Sequence, residues 1–300
     1  TDEILTIYQN IKSIKNHHLQ LGYSHSTFNS DFNTQRILNE SSEETRLVQK
    51  ASLRSIFLED KWAISKNIKL RLGIRNTYFS KNNSSYLEPR ISATMKVTPN
   101  FIFEGALGGN NQFIHQFNSP LSTRGTQATW LISQEQIPVV SSFSSQISSH
   151  WKVHKHEYSI SLYQRSSEGH FNFEKYLSPI PILSEQNEYG NQYYTESQGK
   201  EKINGAEVLI RRKNSLINGW ISYHFNETKY SFPDINNGNL YKADHDLRHE
   251  FKSVLITSIL NWDVTTSWSY SSGRVFTHEN DIDKTNDFQI IFDLDSRNKQ

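Results

Sequence analysis

The stretch Ile68-Lys69-Leu70-Arg71-Leu72-Gly73-Ile74-Arg75-Asn76-Thr77-Tyr78 decides the fold. Ile68, Leu70, Leu72, Ile74 and Tyr78 share one parity; Lys69, Arg71, Gly73, Arg75 and Thr77 share the other. Successive side chains of a β-strand point to opposite faces, so the run has one apolar and one polar face. The same alternation recurs in Trp262, Val264, Thr266, Trp268 and Tyr270 against Asp263, Thr265, Ser267 and Ser269. It recurs again in Ile217, Gly219, Ile221, Tyr223 and Phe225 against Asn218, Trp220, Ser222 and His224. Helical periodicity is almost absent.

Strand length separates a membrane wall from a soluble sheet. Soluble strands usually run about 5–6 residues, whereas these runs extend to roughly ten or more. At about 3.3 Å per residue and about 45° tilt, ten residues span roughly 23 Å, close to the roughly 25 Å apolar band of an outer-membrane barrel. The connections agree. Short ones fall near 65–67, 98–100, 154–156, 213–215 and 261; longer ones fall near 29–46, 80–86, 112–142, 169–202, 231–247 and 275–287. Outer-membrane barrels have short periplasmic turns and longer extracellular loops. The alternation predicts an all-β, antiparallel up-and-down transmembrane β-barrel segment of about thirteen strands. The first strand falls near 4–13 and the last near 287–295. An odd count does not close such a barrel, and bare edges would leave unpaired backbone groups in lipid. The expectation is therefore an incomplete wall. Thr1-Asp2-Glu3 begins no signal peptide, which an exported chain needs, so a processed or excised segment is expected.

Composition narrows the classes. A formal net charge of +1 over 300 residues suggests neither a nucleic-acid surface nor an acidic tail. Aromatics at 12% beside a mean hydropathy of −0.67 suit a wall with one apolar face, one wet face and polar loops. The absence of cysteine excludes disulfides, thiol nucleophiles and cysteine metal sites. No apolar run approaches the roughly 18 residues of a membrane helix.

Several short blocks then resemble one family. They are Glu59-Asp60-Lys61-Trp62, Leu72-Gly73-Ile74-Arg75, Leu87-Glu88-Pro89-Arg90-Ile91-Ser92, Phe113 through Phe117, Gly205-Ala206-Glu207 and Gly219-Trp220-Ile221-Ser222-Tyr223. Asn236-Asn237-Gly238, Asp246-Leu247-Arg248-His249 and Ser272-Gly273-Arg274 complete the series. In order and spacing they resemble the C-terminal part of the barrel of TonB-dependent outer-membrane receptors, in a Bacteroidota-like form. The resemblance implies a 22-stranded barrel with a plugged lumen. Residues 1–300 would be a partial barrel, without its plug domain and its final closing strand. It implies TonB-dependent uptake of a scarce nutrient, such as an iron chelate, vitamin, peptide or glycan, across the cell outer membrane. The implied partners are outer-membrane lipid, the N-terminal plug of the same full-length chain, TonB through the missing N-terminal part, and a surface lipoprotein. No nucleic acid, cofactor or metal is implied, and no enzymatic activity. Structural roles are implied for Pro89, Arg90, Gly205, Glu207, Gly219, Tyr223, Asp246, Arg248, His249 and Gly273.

Two other functions are weighed: a passive porin-like barrel, and a surface β-rich binding or adhesion module. The even positions of 68–78 decide the latter. In a two-sheet sandwich they would pack inside; in a barrel they face outward.

Individual residues have bland and functional readings. Arg90 could touch plug or substrate from the lumen; a rim arginine is favoured, because Pro89 at a strand start has a plain backbone reason. Asp246, Arg248 and His249 read as a local charge cluster that orders a strand entry. His150, His154 and His156 share parity, but a tight turn would break any shared metal face. Trp62, Trp151, Trp262 and Trp268 read as an aromatic girdle rather than sugar-stacking platforms. For ligand capture, the long loops offer Phe113, Phe117, Trp130, Tyr189, Tyr193 and Tyr194. No phosphate loop, nucleophile elbow or paired-carboxylate arrangement stands out.

Overall fold

The computed structural model describes residues 2–12, 14–38, 41–118, 128–134, 137–174, 194–213, 216–233, 235–243, 245–275, 279–283 and 289–292. Its first strands are β1 (Asp2–Ile11), β2 (His17–Leu38), β3 (Ser41–Ala63), β4 (Ile68–Phe79), β5 (Ser84–Thr98) and β6 (Phe101–Gln112). A small hairpin follows, β7 (Ile114–Asn118) and β8 (Ala128–Ile132). The wall resumes with β9 (Val140–Val153), β10 (His156–Glu174), β11 (Tyr194–Arg212) and β12 (Ile217–Ser231). Last come β13 (Tyr241–Lys242), β14 (His249–Ile259), β15 (Trp262–Ser271), β16 (Glu279–Asp283) and β17 (Gln289–Phe292).

Thirteen strands form one sheet in the order β1-β2-β3-β4-β5-β6-β9-β10-β11-β12-β14-β15, with β13 added beside β12. Each strand pairs antiparallel with the next, the up-and-down topology expected. The thirteenth strand is the short β13; the segment near 287–295 instead places β17 in a separate hairpin with β16.

Register carries the two faces across the whole sheet. Leu21, Leu58 and Ile74 are successive cross-strand partners, followed by Pro89. Ile91, Leu107, Ser145, Gln164 continue another row. The apolar face is not covered: Leu72, Ile74, Leu107, Ile147 and Leu162 are all exposed, at 39–49%. No second sheet packs on it among the described residues. A sandwich would have buried these side chains, so the adhesion-module architecture is excluded. The other face is polar and bonded across strands. Ser55 and Thr77 hydroxyls lie 3.0 Å apart, and Ser148 donates to Ser161 at 3.0 Å.

The short turns near 65–67, 98–100, 154–156 and 261 fall where alternation placed them, while residues 214–215 of the fifth lie outside the described residues; φ-positive residues turn the chain at Asn16, His154 and Leu260. One long connection is corrected. Residues 29–46 are mostly strand, because β2 and β3 stay paired from His17↔Trp62 to Leu38↔Ser41. Consecutive polar residues Asn29, Ser30 and Asp31 break the alternation there, so the sequence does not mark this part as strand. At about 3.3 Å per residue and about 45° tilt, these strands rise roughly 50 Å, well beyond a roughly 25 Å band.

Pro89 is also corrected: it lies inside β5, not at its start. The β5–β6 pairing begins after it, at Arg90↔Gly108. Proline has no N–H for a ladder. The Glu88 carboxylate instead accepts the Asn111 backbone N–H at 3.0 Å, so that donor is not orphaned.

Two family-motif glycines have steric reasons. Gly205 lies beneath the Tyr163 ring, which occupies the space of any Cβ. Gly219 has φ +151, and a Cβ there would collide with the Val254 carbonyl on β14. Gly219→Ala is expected to destabilise the chain by about 1–3 kcal/mol through overpacking, read as a lower denaturation midpoint. An unchanged midpoint would show that β12 and β14 can separate at no cost. Gly273 has open space around it, and nothing in the structure explains a glycine there.

Candidate functional site

The polar face and the loop end are where chemistry gathers. The β7–β8 hairpin folds back on the polar side of β2–β4. Phe79, Ala51, Phe113 and Ile132 form a buried cluster, with Phe28, Leu53, Tyr86, Ile114 and Val139 around it. The rings of Phe79 and Phe113 are 5.0 Å apart, and Tyr86 meets Phe113 edge-on at 5.1 Å. Polar anchors hold the hairpin as well. The Gln49 side-chain oxygen accepts the Ile132 N–H at 3.1 Å, and Ser30 donates to the Trp130 carbonyl at 2.8 Å.

Next to the hairpin lies a polar cluster from β10, β11 and β12. Arg165 donates to Glu201 at 2.8 Å, and Ser167 donates to the same oxygen at 2.9 Å. His170 Nε2 lies 2.9 Å from Ser167 Oγ, and its ring packs on Tyr230. Glu201 is almost fully buried. Lower on the same face, Tyr163 Oη lies 2.5 Å from His224 Nε2 and donates to Asn226 at 3.2 Å.

His115 connects hairpin and cluster. Its Nε2 is 2.9 Å from Ser133 Oγ, and Phe171 meets its ring edge-on. Burial, opposed by the Pro138 carbonyl and reinforced by His170, lowers its pKa to about 4. A depressed histidine binds its proton more readily when unfolded. The hairpin is therefore expected to be fully held above the ordinary value of 6.5 and to loosen as pH falls towards about 4. Trp130 fluorescence across pH 7 to pH 4 checks this; a flat profile would sink it.

The structure sorts the ligand-capture residues. Phe113 is buried in the hairpin's core and offers no ligand surface, a correction forced by the aromatic cluster. Trp130 is exposed on the hairpin. The backbones of Phe117 and Tyr194 lie in β7 and β11, with their side chains outside the described residues; Tyr189 and Tyr193 lie wholly outside them. The polar cluster itself escaped sequence inspection, because only the β10–β11 register brings Arg165, Ser167 and Glu201 together.

Other residues are also placed. Arg90 is corrected: it stands on the polar face between Gly73 and Gly108 and donates to Asn110 at 3.0 Å, rather than facing outward at a rim. Asp246 accepts the Thr228 N–H at 2.8 Å and pairs with Arg248, which also reaches Glu227. Tyr223 lies 2.8 Å from His249. Glu207, opposite His224, shares the polar face. His150 faces that side, near Glu104, while His156 continues the opposite face. No group able to hold a metal ion is found among the described residues. Trp62 stacks on His17 and Trp151 on Phe101, all four near the short-turn end, as a girdle would place them.

No family model matches the sequence, and no curated protein matches it. Solved structures do. The siderophore receptor PirA from Acinetobacter baumannii has 12% identity and a TM-score of 0.61, over 89% of this chain and 42% of the receptor. The ferric yersiniabactin uptake receptor FyuA from Yersinia pestis has 9% identity and a TM-score of 0.62, over 90% and 42%. The copper transporter OprC has 10% identity and a TM-score of 0.59, over 89% and 43%. The fold is that of the barrel wall of TonB-dependent outer-membrane receptors. The chain spans less than half the length of these relatives. In such a wall the apolar face meets lipid and the polar face lines the lumen.

Proposed function

We propose that the chain is the lipid-facing wall and lumen lining of a TonB-dependent receptor in the outer membrane of a Gram-negative cell. It takes up a scarce nutrient, such as an iron chelate, vitamin, peptide or glycan. The observation that carries this is the uncovered apolar face running through a single sheet, over a polar face that bonds to itself. The receptor fold supports it, since neighbours of this fold are named for siderophores and for copper. The N-terminal plug of the full-length chain fills the lumen. TonB acts through that plug's segment, long loops face outward, and a surface lipoprotein is a candidate partner at the mouth. A Bacteroidota source rests on the sequence resemblance alone. The chain acts as a transporter and not as an enzyme.

The test is growth of strains carrying the full-length gene on single scarce nutrients, with and without TonB. Uptake that vanishes without TonB supports the function. Uptake indifferent to TonB would identify a passive porin-like barrel.

A further inference from the structure

On the apolar side of the wall, polar donors gather at the short-turn end of β9–β11. The outward parity of β10 runs His156, Tyr158, Ile160 and Leu162, and that of β11 runs Arg212, Ile210 and Val208. Ile160, Leu162 and Ile210 are exposed at 40%, 49% and 38%, so this is the uncovered apolar face. His156 stands directly opposite Arg212 at the end of the ladder, a pairing that sets Cβ atoms about 4.5–5.5 Å apart. Arg212 is exposed, as is Lys155 at the tip of the β9–β10 turn. No acidic residue occupies an outward position of β9–β11 at this end. Glu157 has the opposite parity and holds the lumen-side cations Lys152, Arg211 and Lys213 at 3.6, 3.7 and 3.2 Å.

Other short-turn ends differ. At β2–β3 the outward His17 is already paired with Asp60 at 2.7 Å. β4, β5 and β15 present Ile68, Met95 and Trp262. Next to His156 and Arg212, towards the middle of the wall, stands an aromatic ledge. Trp151 is the cross-strand partner of Tyr158 and stacks on Phe101 at 5.3 Å, and the Tyr158 ring lies 6.2 Å from that of His156. Tyr158 Oη and the His156 ring make no hydrogen bond among the described residues. Such rings, apolar in body and polar at the tip, belong at a membrane–water boundary.

We propose that Arg212, His156 and Lys155 bind the headgroup phosphate of an anionic phospholipid in the periplasmic leaflet, with its acyl chains laid over Ile160, Leu162 and Ile210. The inference rests on the lipid-facing wall proposed above and needs none of the transport. Basic side chains at a membrane surface attract anionic lipid, and the planar arginine fork takes two phosphate oxygens at once. At about 3.3 Å per residue and about 45° tilt, His156 to Leu162 rises roughly 14 Å. A phosphate held at His156 therefore leaves its chains against the aliphatic part of the same face. That continuity points to a lipid, since a soluble anion would use the cations alone. β6 and β12 flank these strands in the sheet, and a plug would lie on its other face, so neither covers the surface.

The protein in detergent is titrated with phosphatidylglycerol or with phosphatidylcholine, and retained lipid is counted by native mass spectrometry. Selective retention of phosphatidylglycerol is expected. Arg212→Gln combined with His156→Gln should weaken it by about tenfold or more. Lys152→Gln, which removes a charge from the lumen side of the same end, should leave it unchanged. Where the double variant misfolds, Arg212→Lys keeps the charge, loses the fork and should weaken retention several-fold. Equal retention of the two lipids overturns the proposal, as does selectivity that survives both kinds of variant. Inorganic phosphate bound as tightly as phosphatidylglycerol would mark a soluble-anion site and overturn it too. If neither lipid is retained and Leu72→Arg costs the protein no more stability in vesicles than Ser267→Arg, the lipid-facing wall itself fails. If selectivity is missing while that difference in cost remains, the headgroup site alone fails.

Discussion

Phe79→Ala is expected to cost about 3–5 kcal/mol, the usual loss for a buried phenylalanine, and to unseat the β7–β8 hairpin. Phe79 is 1% exposed, and it is the wall's main apolar contact with Phe113 and Ile132. Removing it leaves a cavity that the rigid backbone of β3 and β4 cannot close, because both strands are locked by continuous pairing. The Gln49 and Ser30 anchors then stand against water rather than beneath an apolar cover. Each such hydrogen bond contributes only about 0.5–1.5 kcal/mol net, too little to hold the hairpin alone. Limited proteolysis of the protein, alongside its thermal melt, measures both effects. Unchanged cleavage of the hairpin together with an unchanged melt would mean that the aromatic cluster does not seat it.

Leu72→Arg should be almost as damaging, for a different reason. Leu72 lies near the middle of β4 on the uncovered apolar face, between Asp60 and Ile91 in the cross-strand row. An arginine at the midplane of a lipid-facing barrel strand costs about 2–4 kcal/mol. On the lumen face the same change meets water. Ser267→Arg, on the polar face of β15, should therefore stay within about 0.5 kcal/mol. Urea unfolding of the protein in lipid vesicles compares the two. Equal costs would mean that the apolar face does not lie in the bilayer.

The wall was legible in the sequence because a membrane strand writes its environment at every second residue. Ile68 to Tyr78 and Trp262 to Tyr270 needed no partner to be assigned, since lipid on one side and water on the other fix the parity locally. The upper halves of β2 and β3 were not legible. Over that part of the sequence the alternation disappears, and only backbone pairing shows that the strands continue. Pro89 misled for a related reason: its place inside β5 depends on Glu88 taking over an N–H of the neighbouring strand, which no local pattern records.

The candidate sites divide in the same way. Asp246 and Arg248 are close in sequence, so their pairing could be anticipated. Arg165 and Glu201 are far apart in the chain, and so are His156 and Arg212. The sequence by itself determined strand, parity and the kind of solvent on each face, because those depend on one residue and its second neighbour. The tertiary structure alone decided that Phe113 is core, that Arg90 lines the lumen, and that His156 stands beside Arg212. Each of those depends on cross-strand register, and a shift of one residue would turn every one of these side chains to the other face.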